Sequence, residues 1–152
     1  MLLLKRFPLP PTSNHLYMPI NGRLIKTTEA RKYAAAVEMY KLREFRILDE
    51  FKANVKDKDV FDVSCHFSFC RDRVYSKKET LKKLDASNRI KQTHDGLSKI
   101  LDIDDCRFVS GGFSKVYCKS QQDEQVIIVV RKTAMLSLDE CLDLIRNGSC
   151  PK

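Results

Sequence analysis

The sequence predicts an α+β fold in a single domain spanning residues 1–152: a small mixed or antiparallel sheet, an N-terminal hairpin, and helices packed on the sheet. Three observations carry that expectation. Apolar and β-branched residues cluster in short strand-like runs at 2–7, 60–69 and 124–131. The pair Asn21-Gly22 separates two short extended segments, and it readily takes the positive φ angles of a tight hairpin turn. Apolar residues recur at helical spacing over 28–51 and 86–101. A chain of 152 residues, 43% of them hydrophobic, is long enough for one real core.

Taken in order, residues 2–7 read as a short strand, ended by Pro8-Leu9-Pro10-Pro11 because proline removes ladder donors. A polar loop, Thr12 to His15, leads to the hairpin, whose arms are 16–20 and 23–26. Thr27 or Thr28 is placed to cap a long helix in which Ala30, Tyr33, Val37, Tyr40, Ile47, Leu48 and Phe51 keep helical spacing, predicting one helix to about Phe51. Residues 60–69 alternate, with Val63, Cys65, Phe67 and Phe69 on one face, as a central strand. A helix from about 86 to 101 follows, and its apolar stripe of Ile90, His94, Leu97 and Leu101 predicts the core-facing side. Residues 106–118 read as a strand interrupted by Gly111-Gly112, and 124–131 as the most strand-like run of all. With 120–123 as a turn, an antiparallel pair is the simplest arrangement. Ser137 caps a short C-terminal helix carrying Leu138, Leu142 and Ile145, closed by Asn147-Gly148.

The formal charge is +8, from 28 Lys and Arg against 20 Asp and Glu, which exceeds what solubility requires and points to a polyanionic partner. The six cysteines, at 65, 70, 106, 118, 141 and 150, show no C-x-x-C pair, so structural zinc is not expected and the thiols read as free. Met1 to Leu4 is apolar for too few residues to serve as a secretory h-region or a membrane span, and the expectation is a cytoplasmic protein without membrane contact.

Chemistry concentrates around residues 85–105. The helix places Asn88, Lys91, Asp95 and Lys99 on one polar stripe, with Asp85 before it and the doublet Asp104-Asp105 after it. Carboxylates are the usual protein ligands of magnesium, and a nearby lysine can stabilise charge developing on a phosphate. Asp85, Asp104 and Asp105 can meet if the strands entering and leaving the helix are neighbours. The same pattern also describes an ordinary amphipathic helix with acidic caps. Immediately upstream lie Arg71, Arg73, Lys77, Lys78, Lys82 and Lys83, opposed only by Asp72 and Glu79. A run of this kind is a solvated loop when isolated, but beside an acidic cluster it suits a nuclease, which needs cations for phosphate next to anions for metal. His66 and His94 read as structural, whereas His15 in the N-terminal loop could touch DNA.

These residues carry a resemblance to the RusA family of Holliday-junction resolvases, small endonucleases common in phages and prophages. The family's central signature has the form D-x-D-N-x-x-K-x-x-x-D-x-L followed by an acidic doublet. Here it stands as Asp85-Ala86-Ser87-Asn88, Lys91, Asp95 and Leu97, then Asp104-Asp105. Pro10-Pro11-Thr12-Ser13-Asn14-His15, Tyr17 and Gly22-Arg23 resemble its P-P-S-x-N segment and hairpin.

The resemblance implies a phage- or prophage-encoded endonuclease of the bacterial cytoplasm, dependent on magnesium with manganese as a substitute, that resolves four-way DNA junctions as a homodimer. It implies that Asp85 and Asp105 ligate metal, that Lys91 assists catalysis, and that Asn88 and Asp95 shape the site. Asp104 and Ser87 are further metal candidates, and Asn14, His15, Arg23 and the basic run from Arg71 to Lys83 are candidates for DNA contact. Ser87 departs from the signature, which has its second metal-binding aspartate there. A hydroxyl is a poorer magnesium ligand than a carboxylate, so the alternative is a junction-binding or regulatory protein with weakened or lost cleavage.

Overall fold

The computed structural model describes residues 1–12, 16–82, 84 and 86–146. Strand β1 (Leu2–Phe7) is followed by a hairpin of β2 (Tyr17–Ile20) and β3 (Arg23–Lys26), then by α1 (Thr28–Arg43) and α2 (Phe45–Ala53). Strand β4 (Val60–Cys70) leads through a one-turn helix, α3 (Arg71–Val74), to α4 (Ser87–Leu101). A 3-10 turn (Asp105–Arg107), β5 (Phe108–Ser110), β6 (Phe113–Cys118), a second 3-10 turn (Gln121–Asp123), β7 (Gln125–Thr133) and α5 (Leu138–Arg146) complete the order. The expected α+β class is what the chain adopts.

The long strand β4 lies in the middle of a five-stranded sheet. β7 pairs with one edge of it antiparallel, with β1 antiparallel beyond, while β5 and β6 pair with the other edge in parallel. Alternation along β4 turns Phe61, Val63, Cys65, Phe67 and Phe69 to one face, all fully buried. Leu2, Leu4 and Phe7 from β1 and Val126, Ile128 and Val130 from β7 extend that face, and Val37, Tyr40, Leu48, Leu97 and Ile100 cover it from the helices.

The 106–118 segment and the last strand do not pair with each other, as the simplest reading had them. They flank β4 on opposite edges, so Cys65 stands opposite Phe113 on one side and Ile128 on the other. The glycine pair explains the docking of β5 and β6. Gly111 has φ 151°, and a Cβ there would fall 1.9 Å from the Val63 carbonyl oxygen, while the Gly112 carbonyl accepts from Cys65 N–H at 2.9 Å. The glycines thus bring the chain against β4, and the second 3-10 turn leads on to β7 at the opposite edge.

The helix predicted to run to Phe51 is two helices meeting at Glu44. Thr27 caps the first, accepting from Ala30 N–H at 3.2 Å. In a straight helix Tyr40 and Leu48, eight residues apart, would point about 80° away from each other. The break lets both reach the core, where Tyr40 donates to the Lys5 carbonyl at 2.9 Å and Leu48 is fully buried. The hairpin forms as expected around Asn21 (φ 49°) and Gly22 (φ 74°). Ser137 and Glu140 cap α5 reciprocally: Ser137 Oγ accepts from Glu140 N–H and Glu140 Oε2 accepts from Ser137 N–H. The expected closure at Asn147-Gly148 lies outside the described residues. Among the described residues no helix is long and apolar enough to cross a membrane.

The two neighbouring glycines make different demands. Gly111→Ala should destabilise the protein by about 3 kcal/mol or more, because its Cβ meets a backbone carbonyl that cannot move without breaking the β4 ladder. Gly112→Ala, with nothing within 4 Å of its Cβ, should change stability by less than about 1 kcal/mol. Urea unfolding of the two variants beside the parent checks the contrast.

Candidate functional site

The site is built on α4 and on the turn that follows it. Ser87, Lys91, Asp95 and Lys99 are exposed along the helix and Asn88 is half-buried. The core-facing side is rotated from the one expected. Arg89, Thr93, Gly96, Leu97, Ile100 and Leu101 are buried, whereas Ile90 and His94 are only half-buried. Two contacts account for the rotation. Gly96 admits α1 at close range, since a Cβ there would lie 2.7 Å from the Tyr33 hydroxyl, and Arg89 turns inward, 6% exposed, with its guanidinium over the Phe69 ring. Arg89 Nη1 donates to the Pro10 carbonyl, which ties the first turn of α4 to the proline segment. Sequence spacing gave no role to Arg89; the available signal was that Arg89, Thr93, Gly96 and Ile100 themselves recur at helical intervals.

At the other end of α4, Asp102 takes the left-handed conformation (φ 54°) and Ile103 is buried, turning the chain back along the helix. Asp104 caps the 3-10 turn, its carboxylate accepting from Cys106 N–H at 3.0 Å, and this hydrogen bonding holds its pKa below the usual carboxylate range. Asp105 acts instead on α4. The Asp95 carboxyl is raised above its ordinary value by partial burial first; Lys91 opposes the shift, and the like charge of Asp105 adds to it. His94 is lowered by burial, against the opposing charges of Asp105 and Asp95, and its ring meets Phe108 edge-on at 5.5 Å. The charges of Lys91 and Asp105 thus both act on Asp95, with opposite sign, while Asp104 is engaged with its own turn.

Asp85 lies outside the described residues, as do Asn14, His15 and Lys83. Among the described residues no group of three or more His, Cys, Asp and Glu side chains converges on a point. In chemistry, though not in a shared point of convergence, the oxygen donors present suit a hard divalent cation. Asp95 and Asp105 are carboxylates whose repulsion such an ion would relieve, Asn88 and Ser87 carry oxygen donors about two helical turns away at the start of the same helix, and magnesium needs only one or two carboxylates because it keeps several waters.

The basic run folds into a pinned loop. Arg71 pairs with Glu79 and lies over the Tyr75 ring, and Tyr75 bridges to Leu81. Arg73 pairs with the nearly buried Glu124 at 2.6 Å, and Glu124 also accepts from Cys70 N–H. Lys82 donates to the Asp72 carbonyl at 2.5 Å, while Lys77 and Lys78 are exposed. Lys115 donates to the Leu84 carbonyl and so holds the loop's exit near the start of α4. Between this region, the proline segment and α1 runs a groove of about 1100 Å³, lined among others by Pro10, Lys32, Arg73, Asn88 and Arg89. Arg23 stands apart, exposed on the hairpin.

The family model described as endodeoxyribonuclease RusA matches residues 8–131. The chain belongs to the RusA family. The matched span takes in the proline segment, the hairpin, all of α4 and the turn carrying Asp105, so the RusA match covers each element that builds the site. No curated protein matches the chain.

The coupling between the turn and the helix is open to direct measurement. In Asp105→Asn, titrated without divalent metal, the pKa of Asp95 should fall toward the ordinary value and that of His94 should fall further, since Asp105 raises both. Carboxyl and imidazole NMR titrations read both shifts, and unchanged values would place Asp105 away from α4.

Proposed function

We propose that this RusA-family chain is a magnesium-dependent, structure-specific endodeoxyribonuclease that binds four-way DNA junctions as a homodimer and cuts them by paired, symmetric nicks. What supports the reading is the match of residues 8–131 to an endodeoxyribonuclease family, together with the charges of Lys91 and Asp105 that both act on the Asp95 carboxyl. Asp85 and Asp105 would hold the ion, with Asp104 and Ser87 as further oxygen donors and Asn88 and Asp95 supporting them; manganese would serve in place of magnesium. When bound, the ion polarises the phosphate and lowers the pKa of the attacking water.

Lys91 supplies a fixed positive charge for a phosphate lying along the exposed side of α4, and Asp95, one helical turn on, restrains the lysine through opposite charge. Cationic side chains of the 71–83 loop and the hairpin's Arg23 would hold neighbouring phosphates, an attraction that weakens as salt rises. One chain provides one site. Two nicks related by a two-fold axis require two copies, which a C2 dimer supplies.

A second reading rests on Ser87, a neutral side chain in the first turn of α4 at the place of a signature carboxylate. On that reading the protein binds junctions and cuts them slowly or not at all.

Incubation of a labelled four-way junction with and without magnesium separates the two. The nuclease reading expects symmetric nicks that EDTA abolishes, and a loss of roughly a hundredfold or more in Asp85→Asn, Asp105→Asn and Lys91→Ala with junction binding retained. Equal cutting by Asp85→Asn would sink it. The binding reading expects tight, salt-sensitive binding without nicks in the parent, and cleavage gained in Ser87→Asp.

A further inference from the structure

The hairpin is an exposed apolar ribbon, which is an expensive thing for a monomeric surface to carry. Of the eight residues in β2 and β3 only Ile25 is half-buried; the rest are exposed. Among them Tyr17 is 50% exposed, Met18 46%, Ile20 44% and Leu24 74%. The register sets Tyr17, Pro19, Leu24 and Lys26 on one face and Met18, Ile20, Arg23 and Ile25 on the other. Both faces therefore present apolar side chains to solvent, unlike a surface hairpin that buries one side. A two-stranded hairpin is marginal on its own, and a contiguous exposed apolar patch marks a binding surface.

Charge and position narrow the partner. Residues 1–28 contain Lys5, Arg6, Arg23 and Lys26 and no Asp or Glu, so the ribbon is cationic as well as apolar. Its base is anchored to the proposed site. Thr27 N–H donates to the Leu16 carbonyl, and the facing pair Tyr17 and Lys26 line a cavity of about 200 Å³ together with Gln92, Asp95 and Lys99 of α4. From that base the four-residue arms reach about 13 Å to the tip at Asn21-Gly22. A partner gripped along the polar side of α4 is therefore within the ribbon's reach.

We propose that this ribbon is a wedge whose tip enters between unstacked bases at the branch point of bound DNA, Ile20 meeting a base on one face and Leu24 on the other, with Arg23 and Lys26 on the flanking phosphates. Aliphatic side chains next to cations are the chemistry by which proteins part base steps, and a branch point offers bases whose stacking is already interrupted. The inference rests on the DNA-cleaving reading of α4 and adds to it a source of preference for branched over linear DNA.

The test uses a four-way junction carrying 2-aminopurine at the branch point, in EDTA to prevent cutting, with the full chain and its Ile20→Ser/Leu24→Ser variant. Binding of the parent should raise the 2-aminopurine fluorescence. The variant should lose that rise, and lose roughly tenfold in junction affinity, with affinity for a linear duplex nearly unchanged. Far-UV circular dichroism establishes that the variant is folded, and the fluorescence of the parent alone decides the matter if it is not. Junction binding by the parent without a fluorescence rise, or an equal rise in the variant, overturns the wedge and leaves the nuclease reading standing. Failure of the parent to bind junctions at low salt overturns both. A change of solution mass in the variant, read by light scattering, would make the ribbon a surface for a second copy and overturn the wedge.

Discussion

The parallel pairing of β4 with β5 and β6 is the constraint on which the rest of the structure depends. A parallel pair cannot be joined by a tight turn, so the chain leaving Cys70 has to travel back along β4 before it can pair. Helix α4 makes that return, and its buried side joins the same core as Phe61, Phe67 and Phe69. The turn that ends the return delivers Asp105 to the flank of α4, where its charge is felt at His94 and Asp95. The influence of Asp105 on His94 and Asp95 thus follows from sheet topology.

That dependence explains which parts of the molecule were legible in the sequence. Local chemistry read correctly. Asn21-Gly22 made its hairpin, Thr27 and Ser137 capped their helices, β4 alternated as expected, and α4 began and ended within a residue of the reading. Choices that depend on distant partners did not. A strand's residues do not name its neighbour, so the placement of β6 and β7 on opposite edges of β4 was hidden, although Gly111-Gly112 marked where the approach would occur. The break at Glu44 was hidden for a similar reason, since it answers to the surface that α1 and α2 both cover. On α4 the apolar stripe pointed to Ile90 and His94, and the aromatic ring of Phe69 with the carbonyl of Pro10 drew Arg89 inward instead.

Net charge was informative about the class of partner and uninformative about individual side chains. Arg71 and Arg73 belong to the basic run, yet each is committed to an acid, Glu79 and Glu124, and each lies against an aromatic ring. The pair at Glu124 also fixes the backbone of Cys70, so this arginine contributes to the shape of the loop as well as to its potential. Lys77 and Lys78, exposed on the same loop, are better placed to meet phosphate. A count of cations overstates how many can bind DNA directly, while the summed field, which depends on all of them, remains positive.

The first turn of α4 shows what the serine at 87 changes in the proposed site. A helix N-terminus is already positive, and the buried guanidinium of Arg89 adds to that potential, so this end of the helix favours phosphate over a cation. A carboxylate at 87 would offset that positive potential, and a hydroxyl does not. On the nuclease reading, the work of holding a divalent ion would then fall on the remaining carboxylates. Magnesium needs only one or two of them and completes its shell with water, so a serine at 87 would lower the proposed site's affinity for metal without removing it. On that reading, whether the protein cuts or only binds would be a question of metal occupancy, to which the side chain at 87 contributes directly.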